Sequence, residues 1–325
     1  MIYEVTVPLK YIGTSLLFMV QKVVMKITNF LTIDVEDYFQ VSAFENIVKK
    51  DNWDTYPSRV VQNTRKILSI LDEHNVKATF FILGWTAEKH PQLVKEISAK
   101  GHEICCHSYY HRLVYDLTPE EFYQDTKKAK DILEQITGKE VVGYRAPSYS
   151  ITQKSLWAIK ILCDLGFKYD SSVFPIHHDR YGIPDAPRYP FIWNTTGEEP
   201  TIYNKSDPEG LAEHQQTLKE YPISTALLFG RKLPVSGGGY FRLFPYWLTQ
   251  KALHTINTQE KKNFIFYMHP WEFDPEQPRF NNASAFSKFR HYNNLDKTTS
   301  RFTQLLKDFS FTAMSNPTNQ LSHNG

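Results

Sequence analysis

The chain has 325 residues, 41% of them hydrophobic and 22% charged, which is enough for a large core and allows either two domains or a single α/β barrel. With 37 basic against 35 acidic residues the net charge is +2, which excludes the basic footprint of a nucleic-acid binder and offers no general attraction to an anionic membrane. Three cysteines, Cys105, Cys106 and Cys163, with no CxxC pair, exclude a disulfide framework and fit a reducing compartment.

Residues 1–24 are an N-terminal extension of unclear role. Their apolar run is interrupted by Gln21 and Lys22 and is too short for a spanning helix. Lys10 precedes it, but no small-x-small cleavage site follows. Met25 as the working start, or a peripheral helix before it, are the two readings. A cytoplasmic location is expected, with export or peripheral membrane association left open by the signal-like segment.

From residue 27 onward, strands and helices alternate. Apolar residues 30–33 predict a strand that ends in Asp34, Glu36 and Asp37. Residues 39–56 read as a loop with a short helical piece, and residues 59–74 carry helical spacing at Val60, Thr64, Ile67, Leu68 and Leu71. A buried strand at 77–83 ends at Gly84. Pro91 opens a helix that Gly101 stops. The apolar run 104–106 leads into His107. Thr118-Pro-Glu-Glu opens a helix that runs to Thr137 and stops at Gly138. A short strand reaches Arg145-Ala-Pro147, a helix covers 152–165, and a strand begins at 167 and carries Asp170.

Between 174 and 243 prolines and glycines crowd, which predicts long loops and short strands inserted before the fold closes. A helix over 244–257, a buried strand over 263–268 ending in His269-Pro-Trp-Glu272, a loop over 275–299 and a final helix over 300–309 complete the pattern. Such alternation, with polar residues at the C-terminal strand ends, predicts a parallel sheet with crossover helices and favours a (β/α) barrel over an open doubly wound sheet. No GxGxxG follows a strand.

The chemistry starts from His107-Ser-Tyr-Tyr-His111. Two histidines four apart at a strand end can turn both rings toward one point, and an acidic strand end can add a carboxylate. Two histidines and one carboxylate leave coordination positions open, as catalytic sites require. Cys105 and Cys106 are weaker ligands to propose, because neighbours on a strand face opposite sides. A serine hydrolase would need a G-x-S-x-G elbow, and a phosphate loop would need Lys-Ser/Thr after Gly237–Gly239; neither is present.

The ordered set Thr32-Ile-Asp-Val-Glu-Asp37, His107–His111, Arg145-Ala-Pro147, Tyr169-Asp-Ser-Ser172 and His269-Pro-Trp271 resembles the polysaccharide deacetylases of the NodB-homology type, carbohydrate esterase family 4. More closely it is similar to the branch found near exosortase and exopolysaccharide loci. The stretch from Gly237 to Trp247 looks like that branch's C-terminal extension, and the resemblance covers about residues 27–310.

The resemblance implies a distorted (β/α) barrel of about seven strands and a hydrolase that removes N-acetyl groups from the amino sugars of a polysaccharide or its lipid-linked precursor. It places Asp34 as the base, His107 and His111 on the metal, Arg145 beside the base and His269 as the general acid. It also places Asp170 as the partner of that histidine and the backbone N–H of Ser148 as a donor to the oxyanion.

Val35 departs from the usual pair of adjacent aspartates. Strand periodicity puts Asp34 and Glu36 on one side, so Glu36 is the expected carboxylate ligand, with Asp37 as the alternative. Zinc is the default ion; iron, cobalt or manganese also suit the set. The expected partner is an N-acetylated oligo- or polysaccharide, with Tyr240 and Trp271 as candidate surfaces for sugar rings, and neither nucleic acid nor a spanning membrane segment. One barrel domain is expected over 25–316, including the extension from about 197, then a polar tail over 317–325. Two rival functions stand beside this one: a C–N hydrolase acting on a small linear or cyclic amide, and a catalytically inactive carbohydrate-binding homologue.

Overall fold

The computed structural model describes residues 2–8, 18–24, 27–178, 180–203 and 216–315. Ile2–Pro8 (β1) and Phe18–Val24 (β2) pair antiparallel, with Ile2 opposite Val24, so this part of the extension is a strand pair and not a peripheral helix. The expected polar tail lies outside the described residues. No described helix is long and apolar enough to cross a membrane.

The sheet that organises the molecule starts with Thr28–Val35 (β3), which is buried along almost its whole length. The helix Val60–Glu73 (α1) leads to Thr79–Ile82 (β4), and the helices Gly84–Lys89 (α2) and Pro91–Ala99 (α3) lead to Glu103–Cys106 (β5). The helix Pro119–Thr137 (α4), the strand Gly143–Tyr144 (β6), the helix Trp157–Asp164 (α5) and the strand Tyr169–Asp170 (β7) follow. These strands pair in parallel in the order β3, β4, β5, β6, β7. Helices cover the sheet, so its strands read as continuous apolar runs rather than alternating ones. Thr118 caps α4 by accepting from Glu121 N, while Glu121 answers the Thr118 N–H, and Gly138 ends the helix at φ 65°.

The expected irregular region is a set of short strands: Phe191–Asn194 (β8), Thr201–Ile202 (β9), Thr217–Glu220 (β10), Thr225–Leu228 (β11) and Arg231–Pro234 (β12). Next come the helices Gly238–Leu243 (α6) and Tyr246–Thr258 (α7), then the strand Ile265–Met268 (β13) beside β3. The helices Ala285–Tyr292 (α8) and Leu295–Asp308 (α9) and the strand Ser310–Thr312 (β14) complete the chain. Residues 275–299, read as loop from sequence, therefore hold α8 and the start of α9. The readable signal for α8 is Ser284, whose side chain accepts from Ser287 N. The helix expected from 152 begins only at Trp157, because Ser155 Oγ accepts from Thr152 N and holds a turn there.

β10 pairs in parallel with β7, putting Glu220 opposite Asp170. From there to β13 the ring is carried by separate hydrogen bonds. Ile223 N donates to Val173 O (2.9 Å), Ser236 Oγ to Ser224 O (2.7 Å), Ile265 N to Ser224 Oγ (2.9 Å) and Tyr267 N to Ser236 O (2.9 Å). Gly237 bridges to Tyr267 at φ 137°, and a Cβ there would lie 2.0 Å from Tyr267 O, so only glycine permits this approach. The sheet is thus a distorted α/β barrel whose last side is built from the C-terminal half.

Candidate active site

β3 ends inside a cleft of about 360 Å³. Its last residues present Asp34, and Glu36 follows in a tight turn in which Glu36 N donates to Asp34 O (3.1 Å). β5 delivers His107 to the same place. The next residues fold back sharply: Ser108 and His111 adopt positive φ, and Ser108 Oγ accepts from His111 N. Asp125 of α4 accepts from the Tyr109 and Tyr110 N–H groups, and α2 begins by donating Gly84 N and Trp85 N to this loop's carbonyls. The local strain of the loop is thereby held from two helices.

Glu36, His107 and His111 offer ligand atoms that all lie within 4.8 Å of one another. Glu36 Oε2 and His111 Nε2 are 2.7 Å apart. All three side chains are buried, so this is not a solvated acidic surface. His107 Nδ1 donates to Arg145 O (2.7 Å), which fixes the ring and leaves Nε2 free. Burial, against the pull of Asp34, holds the His107 pKa down at about 4, so the ring is a neutral donor at pH 7. Burial acts to raise the Glu36 pKa, but His111, His269 and His107 outweigh it and keep the carboxyl well below the usual range. A neutral imidazole, an ionised carboxylate and the Glu36 Oε2 atom, which lacks a hydrogen-bond partner in a buried site, together fit a divalent cation.

Asp37, the alternative ligand, faces elsewhere. Its Oδ2 accepts from Ser58 Oγ (2.7 Å), Arg59 N (2.8 Å) and Val60 N (3.1 Å), which caps the start of α1. The cysteines do too: Cys105 Sγ meets Tyr169 Oη at 3.0 Å and Cys106 Sγ meets Thr126 O at 4.0 Å, away from the cluster.

Arg145 is fully buried and stacks on Phe81. Its Nη1 donates to Asp34 Oδ1 and to Thr32 Oγ1, both at 2.7 Å, while Nε and Nη2 hold the Ser171 carbonyl and hydroxyl. Ser148 follows at φ 51° and lines the cleft, with its hydroxyl 2.7 Å from Ser42 Oγ.

His269 faces this group from β13, with Nε2 3.9 Å from Asp34 Oδ2 and 3.6 Å from Glu36 Oε1. Its Nδ1 lies 2.7 Å from Glu272 Oε1. Burial acts to lower the His269 pKa, but Glu272, helped by Glu36 and Asp34, raises it to about 9, so the ring carries a proton at neutral pH. The partner expected from the resemblance, Asp170, lies with other groups. Its carboxylate accepts from Ser172 Oγ and hydrogen-bonds Glu220, the residue across the β7–β10 ladder. Burial raises Asp170 to about 6 and raises Glu220 as well, so the two share a proton.

The aromatic expectations also change. Trp271 lines the cleft, but it is buried. It stacks between His269 and His291 (centroids 5.2 and 4.1 Å) and donates Nε1 to Glu36 Oε1 at 3.1 Å, so it orients the carboxylate rather than offering an open face. Tyr181 forms the cleft wall, and Tyr240 stands behind it with the phenol oxygens 3.3 Å apart.

Sequence reasoning missed Glu272, Arg242, His291 and Tyr181. Glu272 stood in plain view after His269-Pro-Trp, three residues from the histidine, where an N3 glutamate turns back on the helix start.

Residues 51–169 match the polysaccharide deacetylase family, and residues 171–319 match a domain of unknown function, DUF3473. The chain is 41% identical over 96 residues to a peptidoglycan-N-acetylglucosamine deacetylase of Bacillus cereus, covering 29% of this chain and 35% of that protein. It is 33% identical over 84 residues to the peptidoglycan-N-acetylmuramic acid deacetylase PdaA of Bacillus subtilis, covering 26% and 32%. It thus spans about a third of the length of the curated relatives it matches. A Mycobacterium smegmatis crystal structure described as a polysaccharide deacetylase aligns over 90% of both chains with a TM-score of 0.54 and 19% identity. A PuuE allantoinase aligns over 88% of this chain and 87% of that one with a TM-score of 0.52 and 12% identity, so the fold is common to both. With the deacetylase match over its first strands and helices and DUF3473 over the remainder, the chain belongs to the polysaccharide deacetylase family.

Proposed function

We propose that the protein is a divalent-metal-dependent hydrolase that removes N-acetyl groups from the amino sugars of a polysaccharide or its lipid-linked precursor, of exopolysaccharide or cell-wall type. The observation that carries this reading is the buried Glu36–His107–His111 cluster beside an Arg145-held Asp34 in one cleft. Both halves of the chain line that cleft, so residues 25–316 act as one unit. When bound, the ion supplies Lewis acidity toward the amide carbonyl and makes water easier to deprotonate; zinc is the default and iron, cobalt or manganese fit the same donors.

The remaining roles fall to the chain. Asp34 accepts the proton of the attacking water, and Arg145 keeps it ionised and aimed. The backbone N–H of Ser148 donates to the developing oxyanion. His269, on the opposite side of the cleft, gives a proton to the leaving amine.

The test is acetate release from a panel of N-acetylated oligosaccharides, with chelator and then with metal restored. Release that chelator abolishes and metal re-addition recovers is expected. Release indifferent to chelator, or none across the panel, overturns the proposal.

A further inference from the structure

We infer that Glu272, fastened by Arg242, is the positioning carboxylate of His269, in the place where the resemblance puts Asp170. This rests on the deacetylase reading above and names the residues that aim its proton donor.

Glu272 uses its two oxygens separately. Oε1 accepts from both the backbone N–H of His269 (3.1 Å) and the ring Nδ1 (2.7 Å), so one atom fixes the main chain and the imidazole together. The Pro270–Phe273 turn makes this local, with Pro270 at its first position. With Nδ1 held, the only free ring nitrogen is Nε2, and it faces Asp34 and Glu36 across the cleft. Trp271 stacks on the ring and blocks rotation away.

Oε2 meets Arg242 Nε at 2.6 Å. Arg242 comes from α6, in the glycine- and aromatic-rich stretch, and is itself buried. Its Nη1 donates to His291 O (2.8 Å) and Asn293 O (2.9 Å), and its Nη2 to Arg290 O (3.1 Å). A guanidinium with its donors so engaged cannot swing, and it keeps Glu272 ionised and in place. Asp170, occupied by Ser172 and Glu220, serves the β7–β10 ladder instead.

In the step concerned, the C–N bond breaks with its electron pair going to nitrogen, which takes the proton from His269 Nε2. The acyl carbon keeps the oxygen that came from water, giving acetate and the free amine. A phenolate leaving group needs no such proton, and this separates a positioning role from a structural one.

Wild type, Glu272→Gln and Arg242→Lys are compared, metal-loaded, on an N-acetylglucosamine oligomer and on 4-nitrophenyl acetate. Glu272→Gln is expected to lower kcat on the amide by about 10²-fold with KM little changed, and turnover of the ester by less than about threefold. Arg242→Lys is expected to fall between wild type and Glu272→Gln on the amide and to spare the ester. Equal losses on both substrates overturn the inference.

If Glu272→Gln does not fold, nitrogen-15 histidine NMR on the metal-free wild type decides, with the His269 signal assigned by its loss in His269→Gln. A proton on Nδ1 is expected, and a ring protonated on Nε2 alone overturns the inference. If wild type releases no acetate from either substrate, the deacetylase reading fails, and the NMR result still decides the His269–Glu272 pairing.

Discussion

On one side of the cleft, Glu36, His107 and His111 come from the ends of buried parallel strands, and Arg145 reaches Asp34 from the strand two places further along. On the other side, β13 carries His269, but what holds His269 comes from a turn and from helices packed after the barrel. The first side is fixed by strand register, and the second by long-range hydrogen bonds between irregular segments. The charge logic differs as well. The metal-ligand side keeps a histidine neutral by burial, with His107 down at about 4, whereas the acid side keeps one charged through Glu272, with His269 up at about 9. One protein environment holds two imidazoles in opposite protonation states because the carboxylate is hydrogen-bonded to one ring and only near the other.

The harshest way to break the first side is the double substitution His107→Ala/His111→Ala. It should abolish metal retention and lower kcat/KM at least about 10³-fold, checked by elemental analysis beside acetate release. Metal content equal to wild type would refute the ligand set. Asp34→Asn keeps the shape but not the base. It should lower kcat by roughly 10²-fold or more while metal stays bound. Loss of the ion instead would make Asp34 chiefly a ligand.

A third measurement sharpens the boundary between the sides, at the β7–β10 ladder. Burial and the facing Glu220 raise the folded pKa of Asp170 to about 6 from its ordinary 3.8. A carboxyl raised in this way contributes stability that is fully present below its unfolded pKa and is lost as pH rises through about 6. Urea unfolding should therefore show wild-type stability declining between about pH 4 and 6.5, and Asp170→Asn should show a shallower decline. Identical slopes would show that the pair does not share a proton.

The smallest expected effect lies on the wall of the cleft. Tyr181→Ala should raise KM for long oligosaccharides about fivefold, through loss of one ring contact. Tyr240→Ala, one layer back, should act chiefly on thermal stability. A larger KM effect from Tyr240 would reverse that order.

The barrel and its metal cluster were legible because their signals are local. An apolar run followed at once by a polar residue marks a strand end, and a period of two places Asp34 and Glu36 on one side. The choice between Glu36 and Asp37 followed from that period. The structure adds the reason for the third carboxylate: Asp37 caps α1, through N–H groups that lie more than twenty residues along the chain. The acid side was not legible because its partners are distant in sequence and sit in segments without periodicity. Arg242 lies among glycines and aromatics and meets a glutamate thirty residues on, and nothing in either neighbourhood announces the other. His291 was hidden in a helix whose two phenylalanines, Phe286 and Phe289, point outward and so break the apolar pattern that would have revealed it. Asp170 was misassigned because a residue type in a familiar motif says nothing about which neighbour reaches it first; here Glu220, supplied by the C-terminal half, does.

The guanidinium of Arg242 has a consequence that reaches past the acid it holds. The same flat, inflexible group fastens the carbonyls of residues 290, 291 and 293, at the end of the helix whose Phe286, Ser287 and Arg290 form the lip of the cleft. Lip and proton donor are therefore bolted to one plate. The depth at which a sugar comes to rest against the lip and the height at which its nitrogen meets His269 are set together. A substitution that slackens the lip will misalign proton delivery without touching either the histidine or the metal ligands.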